Sequence, residues 1–193
     1  MSREKILGAI RQNKPDLLPL PAQFKFESNY PDRLTQFQQV LQAIGGTSEL
    51  VPSLEVVSER INALFPGIQN VAVTIPELSH LADFNLTISD PHELASIQLA
   101  ILPGRFGVAE NGAIWFTEKE MQHRVLPFIT QYLAIVIKAN SIVENMHRAY
   151  EQIHIDETGF GTFVAGPSKT ADIEQSLVVG AHGPRSLIVF IIE

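Results

Sequence analysis

Cysteine is absent from this sequence. The chain therefore forms no disulfide, and it has no thiolate with which to hold an iron–sulfur cluster. Basic residues are also few: the sequence has 14 Lys and Arg and 21 Asp and Glu, which gives a net charge of −7. Nucleic-acid binding needs a basic surface that neutralises phosphates. This balance therefore argues against a nucleic-acid partner.

Long apolar runs and metal-binding spacings are missing as well. No run approaches the roughly 20 apolar residues that a membrane-spanning helix needs, and the charged N-terminus is not followed by the apolar stretch of a signal peptide. The 6 histidines form no His-x-x-x-His pair, so no metal site is predicted. A cytoplasmic protein is expected, since the lack of cysteine also suits a reducing compartment.

Apolar residues, by contrast, make up 45% of the 193 positions, which is enough for a substantial core. Residues 1–21 are predicted to form an appendage, in which Ser2 caps a short helix and a stretch with three prolines serves as a linker. The apolar stripe of this helix, Ile6, Leu7 and Ile10, needs cover from the chain's own body or from a partner. Residues 22–193 are predicted to form a single α/β domain.

Helical and strand patterns alternate along that domain. Amphipathic spacing predicts helices at 31–44 and 53–65, a short helix at 90–100, and a helix at 142–153. Short apolar runs predict strands at 48–51, 71–75, 113–117, 133–137 and 187–192. Strands that are apolar on both faces favour a mostly parallel sheet flanked by helices.

The closing segment, residues 161–193, organises the functional prediction. It is interpreted as a strand at 162–165, a glycine turn, a short helix, a second glycine turn and a buried strand. Gly166, Ser168 or Thr170 is the N-cap of that helix, and Gly180 ends it. The first backbone N–H groups of a helix lack intrahelical partners and lie at the positive end of the helix dipole. They can therefore bind a phosphate or a carboxylate.

Two motifs in this segment carry a family resemblance. Gly166-Pro167-Ser168-Lys169-Thr170-Ala171-Asp172-Ile173-Glu174 and Gly180-Ala181-His182-Gly183-Pro184 resemble the closing signature of the lactate-utilization protein C family, whose members carry the LUD domain. The resemblance extends more loosely over nearly the whole chain. It implies a CoA-transferase-like fold and joint action with two iron–sulfur proteins in oxidising L-lactate to pyruvate. The clusters are then expected in the partner chains, and no cofactor is expected in this one.

The first motif offers Gly166, Ser168, Lys169, Thr170 and Asp172 as ligand-binding candidates. In an open parallel sheet, ligands bind beyond the carboxyl ends of the strands, and both glycine turns leave strand ends. A small anionic ligand is expected where the two turns meet. The alternative is that the hydroxyls only cap the helix and that the acidic residues of its first turn satisfy the dipole.

His182 and Gly183 are the candidates in the second motif. His182 suits a general acid or base, or a contact to a substrate carboxylate. The alternative is a structural role, in which His182 only donates a hydrogen bond to a nearby carbonyl. The family resemblance favours a functional role.

Glu110 is a candidate nucleophile. Ala109-Glu110-Asn111-Gly112 matches three of the four residues of the Ser-Glu-Asn-Gly motif of class I CoA transferases, with Ala109 as the departure. That resemblance implies a glutamyl thioester on Glu110 and a position in the ligand cleft. The same four residues are also a natural surface turn before a strand.

Three hypotheses follow. The favoured one is an accessory subunit of an L-lactate oxidation system. The others are a free-standing CoA-transferase-like enzyme that uses Glu110, and a module that senses an anionic metabolite.

Overall fold

A five-stranded parallel sheet forms the centre of the fold. The computed structural model describes residues 2–15, 18–19, 32–88, 90–154, 159–171 and 177–193. In spatial order the strands are β1 (Thr47–Val51), β10 (Ser186–Ile192), β6 (Tyr132–Lys138), β3 (Leu99–Pro103) and β2 (Val71–Val73). All neighbouring pairs are parallel. The interiors of β6 and β10 are buried on both faces, which confirms the predicted mostly parallel sheet.

Helices and a second sheet cover the two faces of this sheet. The α-helices are α1 (Arg3–Gln12), α2 (Arg33–Ala43), α3 (Leu54–Leu64), α4 (Glu118–Met121), α5 (Leu126–Ile129) and α6 (Met146–Glu151), and 3-10 helices span Pro76–Leu81, Pro91–Ser96 and Ala139–Ser141. On one face α2 packs through Phe37 and Leu41. On the other face α3 packs through Val57 and Ile61.

The second sheet is antiparallel and was not expected. Its strands are β4 (Phe106–Val108), β5 (Ala113–Thr117) and β7 (Gly161–Val164), with β5 in the middle. Ile114 and Phe116 of β5 are buried in the same cluster as Phe37. The sheet therefore lies on the α2 side of the parallel sheet.

Helix α1 begins after Ser2, whose hydroxyl accepts the N–H of Lys5, as predicted. None of its residues is buried, and Ile6, Leu7 and Ile10 are 46%, 38% and 59% exposed. Most of the predicted linker and its boundary at 21–22 lie outside the described residues. Within the described ranges, no helix has the length and apolarity needed to cross a bilayer.

Two predicted helices were wrong in extent. The helix expected over 90–100 is a 3-10 helix that ends at Ser96, and Leu99–Pro103 is a central strand instead. The helix expected from 142 begins at Met146 behind its N-cap Asn145. Buried apolar residues continue the helical spacing in both regions, so periodicity alone could not place these boundaries.

The predicted helix in the closing segment is also wrong. Lys169–Ala171 forms β8 and Leu177–Val179 forms β9, and the two pair antiparallel. Gly180 does have a left-handed φ of +75°, but it follows a strand and caps no helix. The β-branched residues of this segment favour an extended backbone, and the pairing of Lys169 with Val179 provides the interstrand bonds.

Candidate functional site

The two glycine turns of the closing segment contact each other. The N–H of Ser168 donates to the carbonyl of Pro184, and the N–H of Gly180 donates to the carbonyl of Ser168, both at 2.9 Å. These bonds and the β8–β9 pairing join residues 166–169 and 180–185 into one unit, the loop cluster. The sequence expectation that the turns converge is therefore met, through the antiparallel pairing of β8 with β9.

Glycine is required at the closest approaches within the cluster. A Cβ on Gly183 would lie 3.0 Å from the Cβ of Ser168 and 3.3 Å from the carbonyl oxygen of Phe128. Gly166 has a φ of +72°, and a Cβ there would lie 2.9 Å from the carbonyl oxygen of Ile44, at the end of α2. Larger residues would push the two turns apart or away from α2.

An open groove of about 460 Å³ lies between the second turn and residues 125–131. Its lining residues are Val125, Phe128, Ile129, Thr130, Gln131, Gly180, Ala181, His182, Gly183 and Arg185. The N–H of Arg185 donates to the carbonyl of Gln131 at 2.8 Å, immediately before β10 and β6 begin. The groove thus lies at the amino edge of the parallel sheet, and the expectation that these turns flank the carboxyl ends is wrong.

Three basic side chains of the loop cluster face solvent. Lys169, His182 and Arg185 are exposed, and Ser168 is half-buried. Within the described part of the chain, their side chains form no hydrogen bond or ion pair. Lys169 and Arg185 are thus cations without a described side-chain partner on a chain of net charge −7. Such groups can make strong charge-assisted hydrogen bonds to a carboxylate or a phosphate.

The predicted backbone donors, however, do not have the expected geometry. No helix begins within the described residues 166–171, and the N–H of Ser168 is occupied by the carbonyl of Pro184. Thr170 pairs with Val178 inside the hairpin. Asp172 lies outside the described residues. An anion here would therefore be bound by side chains, chiefly Lys169, His182 and Arg185.

Glu110 lies in the turn between β4 and β5, and its carboxylate has a structural partner. Its Oε2 accepts the N–H of Met146 at 2.9 Å, at the first residue of α6. Its own N–H donates to the carbonyl of Glu144 at 3.1 Å. Glu110 thus satisfies a backbone donor at a helix start, where a negative charge is stabilising. It is not among the residues that line the groove.

The turn that carries Glu110 nevertheless approaches the loop cluster from the other side. Strands β5 and β7 pair antiparallel, with Ile114 opposite Val164. Gly112, just before β5, and Gly166, just after β7, therefore lie at the same end of the pair. A Cβ on Gly112 would lie 3.2 Å from the Cδ1 of Ile44, the residue that Gly166 also contacts. The two motifs therefore share a packing residue, although Glu110 points to α6.

Sequence reasoning missed Arg185 and the segment 125–131 as parts of the site. Arg185 is a charged residue between a glycine-proline turn and a fully apolar strand, which is a recognisable signal for a strand-edge side chain. Segment 125–131 has no such signal, because its position depends on the remote bond between Gln131 and Arg185.

The fold defines the class of protein. It is shared with the crystal structure of a DUF162 family protein from Deinococcus radiodurans, at a TM-score of 0.65 and 19% identity, over 83% of this chain and 96% of that one. The LUD domain model matches residues 89–192, more than half of the chain. The chain belongs to the LUD domain family, which confirms the resemblance inferred from the motifs. The CoA-transferase-like assignment stays a prediction.

Curated relatives agree with this family. Lactate utilization protein C of Geobacillus thermodenitrificans is 37% identical over 102 residues, covering 49% of this chain and 41% of the relative. Lactate utilization protein C of Shouchella clausii is 28% identical over 123 residues, covering 61% of this chain and 47% of the relative. The chain thus spans less than half the length of these relatives.

Proposed function

We propose that this chain is a non-redox component of an L-lactate utilization system and that its loop cluster binds a small anionic ligand. The observation that carries the proposal is the meeting of the two family motifs in one cluster, where Lys169, His182 and Arg185 lie exposed beside a groove. The names of the relatives supply the metabolic context. The cytoplasm is the proposed compartment.

The redox step itself is assigned to partners. Oxidation of L-lactate to pyruvate releases two electrons and two protons, which an acceptor must take up, and cofactors carry such chemistry. Thiolate-held iron–sulfur clusters do not fit this chain, because it has no cysteine. Among the described residues, no group of three His, Cys, Asp or Glu is placed to hold a metal ion. Iron–sulfur partner proteins are therefore the proposed acceptors.

The loop cluster would bind and orient the anion. Arg185 can present two parallel N–H donors to a carboxylate or phosphate, whereas Lys169 supplies a point charge. His182 can donate a hydrogen bond to the same ligand in either protonation state. Phe128, which is 39% exposed at the groove, offers an apolar surface to the rest of the ligand.

Reconstitution tests this proposal. Lactate-dependent dye reduction is measured with the iron–sulfur partners alone, with this chain added, and with its Arg185→Gln variant. We expect the purified chain to be colourless and inactive alone, the mixture to be active, and the variant to be impaired. Arg33→Gln, a change at another exposed arginine, is the matched control and should be fully active. Full activity of the partners without this chain would refute the subunit role.

The rival proposal makes Glu110 a covalent nucleophile towards an acyl-CoA. Its carboxylate is exposed, but it already accepts the N–H of Met146. Incubation with short acyl-CoAs followed by borohydride would reduce a glutamyl thioester, and the modified peptide would be found by mass spectrometry. Modification confined to Glu110 would favour the rival, and an unmodified chain would leave Glu110 as a cap of α6.

A further inference from the structure

A second polar cavity lies at the opposite edge of the parallel sheet, just beyond the carboxyl end of β3. It measures about 190 Å³, and its lining includes Arg105, Trp115, Thr117, Gln152 and His154. We propose that this cavity, the Arg105 pocket, binds a short-chain carboxylate. The inference goes beyond the proposed function, because none of the loop-cluster residues lines this cavity.

The backbone places Arg105 firmly at the strand end. The N–H of Gly104 donates to the carbonyl of Val136 at 2.8 Å, and the N–H of Arg105 donates to the carbonyl of Trp115 at 3.0 Å. A Cβ on Gly104 would lie 2.5 Å from the Cγ2 of Ile114 and 2.8 Å from the Cγ2 of Ile137. Glycine is therefore needed for the chain to pass from the parallel to the antiparallel sheet at this point, and Arg105 is the next residue.

The guanidinium of Arg105 pairs with one carboxylate but keeps donors that no described residue occupies. Its Nε forms an ion pair with the Oε1 of Glu120 at 3.7 Å, a distance too long for a hydrogen bond. The other oxygen of Glu120 accepts both the N–H of Thr117, at 2.8 Å, and its hydroxyl, at 2.5 Å. The terminal amino groups of Arg105 make no hydrogen bond to another described residue. A planar fork with two parallel donors matches a carboxylate.

An aromatic wall gives the pocket a fixed apolar side. The indole of Trp115 stacks on Phe106 at 24°, with ring centroids 6.5 Å apart, and lies 4.6 Å from the ring of Phe163. A Cβ on Gly161 would lie only 2.3 Å from the Cζ2 of Trp115, so glycine there makes room for the indole. The wall suits the short carbon chain of a ligand whose carboxylate reaches Arg105.

Size and position narrow the ligand class. Pockets for drug-sized ligands begin at about 300 Å³, so a cavity of about 190 Å³ suits a smaller molecule. Gln152 and His154 at its border can hydrogen-bond a hydroxyl or oxo group beside the carboxylate. The carboxyl edge of a parallel sheet is also where ligands bind in open α/β folds. A 2-hydroxy or 2-oxo acid of about three to five carbon atoms meets these constraints.

The only tryptophan of the chain, Trp115, reports on this pocket. The full chain is titrated with L-lactate, pyruvate and the neutral analogue L-lactamide, while Trp115 fluorescence and binding heat are recorded. We expect a saturable response to at least one of the carboxylates and none to the amide. Arg105→Gln should weaken that response at least about tenfold, as for loss of a hydrogen bond to a charged group.

Controls separate this site from the loop cluster. Arg105→Lys, which keeps the charge but loses the fork, should bind with intermediate affinity. Arg185→Gln should leave the Trp115 response unchanged, and circular dichroism should show that every variant is folded. No saturable response by either readout, an equal response to lactamide, or unchanged affinity in folded Arg105→Gln would overturn the Arg105 pocket. None of these results would refute the lactate-utilization role, which the dye-reduction assay tests separately.

Discussion

The two edges of the parallel sheet differ in how their polar groups are held. At the amino edge, the loop cluster presents Lys169 and Arg185, which are exposed and have no side-chain partner among the described residues, beside an open groove of about 460 Å³. At the carboxyl edge, Arg105 lies between an aromatic wall and Glu120 in a cavity of about 190 Å³. The same buried strands support both edges, but the loop cluster supplies the side chains of one, and the antiparallel sheet with the residues that follow α6 supplies most of the side chains of the other. The sheet is thus a common scaffold, and the segments added to it determine each site.

Truncation in the shared scaffold should have the largest effect. Phe190 of β10 is fully buried, and Phe190→Ala should cost about 3–5 kcal/mol of unfolding free energy. Both edges should lose ligand binding together as the folded fraction falls. Urea denaturation measures the cost. Phe128→Ala, at a side chain that is 39% exposed, is the matched control and should cost far less. Similar losses of unfolding free energy for the two variants would contradict a scaffold that depends on the burial of β10.

A change at the amino edge alone should have a smaller effect. Gly166→Ala introduces a Cβ 2.9 Å from the carbonyl oxygen of Ile44 at a φ of +72°, whereas Gly67→Ala has nearly the same φ, +73°, with no heavy atom within 4 Å. The difference between the two variants isolates the contact with α2 and should be about 1–3 kcal/mol. Equal unfolding free energies would mean that the loop cluster does not pack on α2 as described.

The smallest effect is expected at an ion pair on the edge strand β1. The guanidinium of Arg60 donates two hydrogen bonds to Glu49, at 2.6 and 2.7 Å, and these hold the pKa of Glu49 below its ordinary value of 4.5. The resulting stability is fully present above that value and is lost as the pH falls through the lowered pKa. Since the side chains are 43% and 29% exposed, the pair contributes less than about 1 kcal/mol.

Glu49→Gln should therefore lower the unfolding free energy slightly at neutral pH. The difference from the unchanged chain should shrink to nothing at strongly acidic pH, and denaturation curves at several pH values measure it. Neither edge should change its ligand response. A pH-independent difference would show that the ion pair is not its source.

Sequence patterns predicted the elements whose burial follows a simple period. Helices α2 and α3 and strands β1, β6 and β10 were recognised, because each has an apolar face or an apolar run with clear ends. Strand β3 was missed because Leu99 follows a 3-10 helix after only two residues, and its apolar run continues the helical spacing. Only its pairing with β2 and β6 makes it a strand.

The meeting of the two glycine turns was predictable from the sequence, but the geometry of their contact was not. The motifs correctly indicated that Ser168 and Gly183 meet. The capping residues and the closing Gly180 predicted a helix, whereas the observed pairing of β8 with β9 is held with bonds between residues far apart in the sequence, such as Ser168 and Pro184. Likewise, nothing near Arg105 in the sequence reveals Gln152 and His154 as neighbours, because the fold brings them together from beyond α6.

The central claim is that the two edges bind anions independently. The most direct test is an NMR titration of the ¹⁵N-labelled full chain with L-lactate and with inorganic phosphate, repeated on Arg105→Gln and Arg185→Gln. We predict that Arg105→Gln abolishes the shift of the Trp115 indole and preserves the shift of the Gly183 amide, and that Arg185→Gln does the reverse. Two separate sites would be contradicted if one variant lost both shifts. They would also be contradicted if both variants kept both shifts.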